Sequence, residues 1–459
     1  MTLGFFPAQE QEPGSTVTLL AEPDGSRVER TVLPSGFRVI SEFVPGAHSV
    51  TAGVWAGVGS RDEDLRSAGA AHFLEHLLFK GTGRRSALEI SASLDAVGGE
   101  MNAFTSKEYT CFYAKTLGRD LQLAVDVLLD ITTDPAMRDR DIDSERQVVL
   151  EEIGMHDDDP ADRSHERLFH DLLGRAPLAR PILGTRESIG TIDEPILRSF
   201  FNAHYEPQNL VLAVAGDVDH RALVEMVEHA VAPLGWPDGT TAAGLPVRDA
   251  VPATAQSGLS VLPWAGEQCA VSLGSLGVPH TDPRRRALDV LNTALGGGMS
   301  SRLFQRVREE RGLAYSVYSF HSPFSDIGIW GVAAGCGPSS VTDLVEVVIQ
   351  ELESLATDGL SDEEITRAKG HLSGSLVLAG EDTAARMTSL GRAEVATGQL
   401  FTLEEALHRV EQVTRDDLDA IGAALAAEPR RTIVVGPQDQ VGAGSAVHER
   451  LQAISDSVR

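Results

Sequence analysis

Apolar and polar residues alternate through GFRVISEFV (residues 36–44), and SVTAGVWAGVGS (49–60) continues in the same manner, so both stretches read as β-strands. Between 65 and 80 the apolar spacing becomes helical. ALEISASLDAVGG then predicts a helix stopped by Gly98 and Gly99. EMNAFTSKEYTCFYAKT is rich in Thr and aromatic residues and predicts one or two strands. DLQLAVDVLLDITT predicts a helix, DRDIDSERQVVLEEIGMHDDD a long acidic one, and NLVLAVAGDV a buried strand. The residues before about position 25 are mixed, with turn formers at Pro13, Gly14, Pro23 and Gly25, and read as a loose leader.

Residues 233–254, PLGWPDGTTAAGLPVRDAVPAT, are rich in Pro, Gly and Thr without apolar periodicity and read as a linker. Beyond them the pattern resumes. CAVSLGSLGV, GLAYSVYSF, IGIWGVAAG and RRTIVVGP are strand-like, while DPRRRALDVLNTAL, VTDLVEVVIQELESLA and the stretches 362–379 and 383–398 are helical. The halves echo each other. LDAVGGEMNAFTS can be laid over VREERGLAYSVYS, each a helix end, a glycine stop and a strand, and NLVLAVAGDVD and TIVVGPQDQ both close their halves. The expected architecture is a duplicated α+β unit: domains at 26–232 and 255–440, each a mostly antiparallel sheet packed with helices.

Composition narrows the function. The chain has 459 residues and a net charge of −28, which argues against nucleic acid and anionic membrane as partners and fits cationic ligands. Cys111, Cys269 and Cys336 form no C-x-x-C pair, which suits a reducing compartment and rules out a local thiolate zinc cage. The N-terminus lacks the pattern of a secretory signal and is too acidic for a transit peptide. No apolar run is long enough to span a bilayer, so a cytoplasmic location is expected.

The chemistry concentrates in AHFLEHLLFKGT. His72 and His76 are four residues apart, so on a helix both imidazoles face one point. Two such imidazoles can share a zinc ion at about 2.0–2.1 Å each. Glu75 lies beside them and can accept a proton from water whose pKa the metal lowers. The pattern H-x-x-E-H uses the parts of H-E-x-x-H in reverse. A third protein ligand must come from elsewhere, and the acidic helix SERQVVLEEIGM is the best donor. Glu145 and Glu152, two turns apart, share a face with Val148 and Val149. Spacing alone leaves Glu151 and Glu152 both open. His48, His156, His165, His170, His204 and His321 lack paired ligand spacing and read as structural or surface residues.

These residues carry a resemblance to the insulinase–pitrilysin family of zinc peptidases, nearest the branch with the mitochondrial processing peptidase and its bacterial homologues. GAAHFLEHLLFKGT resembles the family's zinc helix. GGEMNAFTSKEYTCFY resembles its substrate-presenting edge strand, YEPQNLVLAVAGDVD the end of its first domain, and GGGMSSRLFQRVREERGLAYSVYS a second-domain segment with a paired arginine and tyrosine. The resemblance implies one Zn2+ per chain held by His72, His76 and Glu152, with Glu75 as general base and Glu145 supporting the site. It implies that Asn102, Ala103 and Phe104 bind an extended peptide along the strand edge, and that Arg308 and Tyr315 contact the substrate backbone. It also implies a chamber between domains and, since this chain carries both halves of the site, a homodimer. Two other functions share the fold: a non-catalytic scaffold subunit, against which the intact donor set argues, and a zinc hydrolase of small peptide-derived cofactor precursors.

Overall fold

The computed structural model describes residues 11–238, 245–251 and 257–457. Two compact units emerge. The first contains residues up to Ile153, Arg180–Arg248 and Val377–Glu405; the second contains Gly154–Ala179, Asp249–Leu376 and Ala406–Arg459. The fold is α+β with two mixed sheets, each antiparallel except for one parallel pair.

The first sheet has strands β1 (Ser15–Ala21), β2 (Arg27–Val32), β3 (Arg38–Phe43), β4 (Ser49–Ala56), β5 (Glu100–Thr105), β6 (Thr110–Leu117) and β7 (Leu210–Gly216), in the order β1-β2-β3-β7-β4-β6-β5. The second has β8 (Gly258–Pro263), β9 (Cys269–Gly277), β10 (Ala314–Pro323), β11 (Gly328–Cys336) and β12 (Arg431–Gly436), in the order β10-β11-β9-β12-β8. Read from the parallel pair outward, β3-β7-β4-β6-β5 repeats as β8-β12-β9-β11-β10, with β3–β7 and β8–β12 parallel and the other pairs antiparallel. The duplication is therefore topological as well as a sequence echo. Strand β5 corresponds to β10, and both are sheet edges.

One face of the first sheet is covered by α1 (Ala70–Leu78), α2 (Ala87–Asp95) and α3 (Leu121–Thr133), with α4 (Asp139–Asp158) beyond them. Helix α1 directs Phe73, Leu74, Leu77 and Leu78 into this core. Each such side chain contributes roughly 1.5–3 kcal/mol by leaving water, which anchors the helix and leaves the other face for polar work.

Three sequence expectations are corrected. Residues 15–21 are not part of a loose leader but form β1, paired with β2, because VTLL turns Leu19 and Leu20 onto the sheet's buried side. The domain division at 26–232 and 255–440 does not match the compact units. Helix α5 (Pro160–Leu173) packs on β9, β11 and β12, and the helix Thr383–Arg392 packs on β3, β4 and β7. The apolar side chains concerned, Leu168 and Leu172 in one case and Met387 and Leu390 in the other, fill the second faces of those sheets. The second unit also runs past position 440, where the helix Ala446–Ser457 continues it. The expected linker at 233–254 lies partly outside the described residues, at 239–244 and 252–254.

Candidate metal centre

His72 and His76 stand one turn apart on α1, with ring centroids 4.7 Å apart. Glu152 approaches from α4. Its Oε2 lies 3.5 Å from His72 Nε2 and 3.4 Å from His76 Nε2, and the three donor atoms all fall within 4.8 Å of one another. Donors about 2.1 Å from a tetrahedral ion are themselves about 3.4 Å apart, so the spacing suits a shared cation. Neighbouring Glu151 is exposed. Of the two carboxylates that spacing left open, Glu152 is the one that turns toward the histidines.

The electrostatics fit a cation as well. Burial, and then the neighbouring His76, lower the His72 imidazole to about 4, so it is neutral at ordinary pH and keeps a lone pair to donate. The other imidazole nitrogen of His72, Nδ1, is buried without a hydrogen-bond partner among the described residues. His76 differs. Its Nδ1 lies 3.3 Å from Glu145 Oε2, and a carboxylate there accepts the Nδ1–H and leaves Nε2 free for the ion. Glu145 is only 3% exposed and is neutralised by Lys80 Nζ at 2.6 Å from Oε1. Sequence reasoning named Glu145 and missed Lys80, although Lys80 follows His76 by four residues and so stands one turn along.

Glu75 does not join the donor cluster. Its Oε2 accepts from Thr105 Oγ1 at 2.6 Å, and burial raises its carboxyl above the ordinary value, partly offset by the Thr105 bond and by His76. Thr105 ends β5, whose only partner among the described residues is β6. The acid beside the donors is therefore tied to an open sheet edge. Thr105 was also missed, yet strand alternation places it on the face of Met101 and Ala103, which pack against the α1 core.

The other expected binding residues are distributed differently. Phe104 turns to the opposite face and packs edge-on against Trp55 at 5.6 Å, with Tyr109 and Tyr113 alongside. Asn102 is exposed, and its Oδ1 accepts from the Ala103 amide at 2.8 Å. Arg308 and Tyr315 lie in the second unit. Arg308 sits in a π-helical turn, Phe304–Glu309, with its guanidinium 4.8 Å from the Phe304 ring centroid, and Tyr315 on β10 is 58% exposed.

A further residue unforeseen from sequence is Glu63. Its carboxyl accepts from the Gly69 amide at 2.8 Å and the Ala71 amide at 2.9 Å, at the start of α1. Burial pushes it up to about 8, against the pull of those two bonds and of nearby Arg180 and Lys107.

Two imidazoles and a carboxylate at this spacing, with a second carboxylate beside them, are the parts of a metallohydrolase centre. Comparison with known proteins gives the family. Residues 38–186 match the model described as insulinase, peptidase family M16, and residues 191–372 match the peptidase M16 inactive domain. A Streptomyces coelicolor protein named as an uncharacterized zinc protease is 47% identical over 424 residues, covering 92% of each chain. A Bacillus subtilis protein named in the same way is 36% identical over 410 residues, covering 89% of this chain and 98% of its own. Among solved structures, a protease from Helicobacter pylori superposes with a TM-score of 0.83 at 22% identity, over 90% of this chain and all (100%) of that one. The chain belongs to the insulinase family, peptidase family M16.

Proposed function

We propose that this protein is a zinc-dependent endopeptidase that hydrolyses extended peptides. The observation that carries the reading is the donor set of His72, His76 and Glu152, with Glu152 Oε2 3.5 and 3.4 Å from the two imidazole nitrogens and all three donors within 4.8 Å of one another, and with Glu75 beside it and joined through Thr105 to an open strand. The zinc-protease names of the relatives agree with it.

When bound, one zinc ion per chain would supply Lewis acidity, lowering the pKa of water and drawing charge from a peptide carbonyl. The chain's own residues do the rest. Glu145 and Lys80 hold His76 in the tautomer that exposes Nε2. Glu75 takes the proton from the attacking water and hands it to the departing amine, and its raised pKa suits both steps. The outer edge of β5 pairs with the peptide backbone at Asn102, Ala103 and Phe104. Side chains on the Thr105 face then lie nearest Glu75, while Asn102 and Phe104 shape the other face. Arg308 and Tyr315 are proposed as further contacts to the substrate backbone, from the same chain or from a second copy in a homodimer. Basic peptides and a cytoplasmic setting fit the charge of −28 and the three free, buried cysteines. No helix among the described residues is long and apolar enough to cross a membrane.

The test is metal analysis with a fluorogenic peptide assay on the wild type and on Glu75→Gln. The variant is expected to keep about one zinc per chain and to lose at least about 100-fold in kcat. Hydrolysis surviving in Glu75→Gln removes Glu75 from the chemistry. Wild-type turnover undiminished by a chelator removes the metal.

A further inference from the structure

Helix α1 begins without a cap of its own. Its N-cap is Gly69, at φ 93°, and no side chain of that residue is available to bond the first turn. The opening amides of a helix have no intrahelical partner and need one from elsewhere. Glu63 supplies it, with Oε2 accepting from Gly69 N and Oε1 from Ala71 N, the residue next to His72.

Glu63 is itself held in place. It is 5% exposed, and its backbone carbonyl accepts from Arg180 Nη2, which also reaches the Arg61 carbonyl at 3.2 Å. Lys107 donates to the Arg180 carbonyl, and Arg61 forms a buried pair with Glu108 at 2.7 Å. The helix start is also closely packed: a Cβ on Gly69 would stand 2.9 Å from the Leu183 carbonyl oxygen and 3.0 Å from Gly184 Cα. The first turn is thus held by the Glu63 bonds and by the close approach of the 183–184 backbone.

A helix is stiff, and each residue advances about 100° around its axis. A small rotation at the start therefore swings both imidazoles, whose nitrogens must meet one ion within about 0.5 Å. The Glu63 bonds fix both the start of α1 and its rotation.

We propose that Glu63 is a positioning residue of the metal centre, setting α1 through the Gly69 and Ala71 amides so that His72 and His76 present Nε2 to a common point. The inference rests on the metal reading above and adds to it a residue that touches neither ion nor substrate.

The experiment compares apo wild type, Glu63→Gln and Glu63→Ala for zinc affinity, by competition with a chromogenic chelator. Unfolding midpoints of the apo forms and peptide kinetics at saturating zinc are measured alongside. Glu63→Ala is expected to weaken zinc binding about 10–100-fold, the usual effect of losing a group that orients a ligand, and to lower kcat with little change in KM. Glu63→Gln, which keeps one acceptor, is expected to fall between wild type and Ala. A residue that only stabilises the fold would shift the midpoint and leave zinc affinity alone. If zinc affinity in the folded variants stays within about twofold of wild type, the proposal is overturned whatever the midpoints show; the centre evidently tolerates a loss smaller than ligand-orienting groups produce. If Glu63→Ala does not fold, Glu63→Gln decides by the same criterion. If the wild type binds no zinc, the metal reading fails first and takes this inference with it.

Discussion

Glu394 sits under the first sheet, on the segment Val377–Glu405 that the second half of the chain contributes to the first unit. Its Oε1 accepts from Arg30 Nη1 at 2.9 Å and its Oε2 from Arg38 Nη1 at 3.1 Å, and its backbone carbonyl accepts from Arg38 Nη1 at 2.8 Å. Exposure is 6% for Glu394, 3% for Arg30 and 1% for Arg38. Replacing Glu394 with Ala takes the counter-charge from two buried guanidinium ions; Gln11 still bonds Arg30 at 2.8 Å, and the 394 carbonyl still accepts from Arg38. Removing one partner of a buried ion pair costs about 3–5 kcal/mol, and two cations share this one, so the upper part of that range is expected. Urea unfolding monitored by hydrogen exchange of the β2 and β3 amides reads the loss locally, which matters in a protein of two units. A companion variant with apolar side chains at all three positions is expected to lie within about 2 kcal/mol of wild type, because no charge is left to desolvate. A loss below about 1 kcal/mol for Glu394→Ala would refute the reasoning, as water would then be reaching the arginines.

Two further outcomes follow from the geometry. Glu145→Gln weakens the acceptor for His76 Nδ1 and leaves Lys80 unpaired, so zinc affinity is expected to fall about 10–100-fold, read by chelator competition, with the fold retained. Asp171, on α5, gives an acid-stability signature: burial alone would raise its carboxyl, but Ser260, Arg167 and Arg431 hold it at about 2. A folded-state pKa below the unfolded value of 3.8 stabilises above 3.8, and the gain is lost as pH falls toward 2. About 2 kcal/mol is therefore expected to disappear across that window in the wild type and to be missing from Asp171→Asn, as measured by denaturation at pH 6 and pH 2.5. Parallel pH profiles for the two proteins would remove Asp171 from the acid response.

What could be read from the chain was what is local. H-x-x-E-H fixes its own geometry once a helix is granted, and the strand on either side of Asn102 announces itself by alternation. What escaped depends on partners distant in sequence. The apolar stripe of Pro160–Leu173 says that a face is buried and is silent on which sheet buries it. Nothing local links Arg30 and Arg38 to Glu394, which lies 356 residues along the chain from Arg38. Glu63 looks like one of several acids in RDEDLR until its two oxygens are seen facing the amides of α1. The instructive case is the third ligand, where local and distant information meet. Adjacent helical residues point about 100° apart, whereas residues seven apart differ by only about 20°. Glu145 and Glu152 must therefore face the same way and Glu151 must not. Burial of Val149 at 0% exposure shows that this side of α4 turns inward, and His76 then lies between the two glutamates, Nδ1 toward one and Nε2 toward the other. Spacing shows that Glu145 and Glu152 share a face; that this face, and not that of Glu151, turns to α1 is seen only in the fold. Which member would donate to an ion and which would orient the histidine is not in the spacing either, because that depends on how far along α4 the helix α1 crosses.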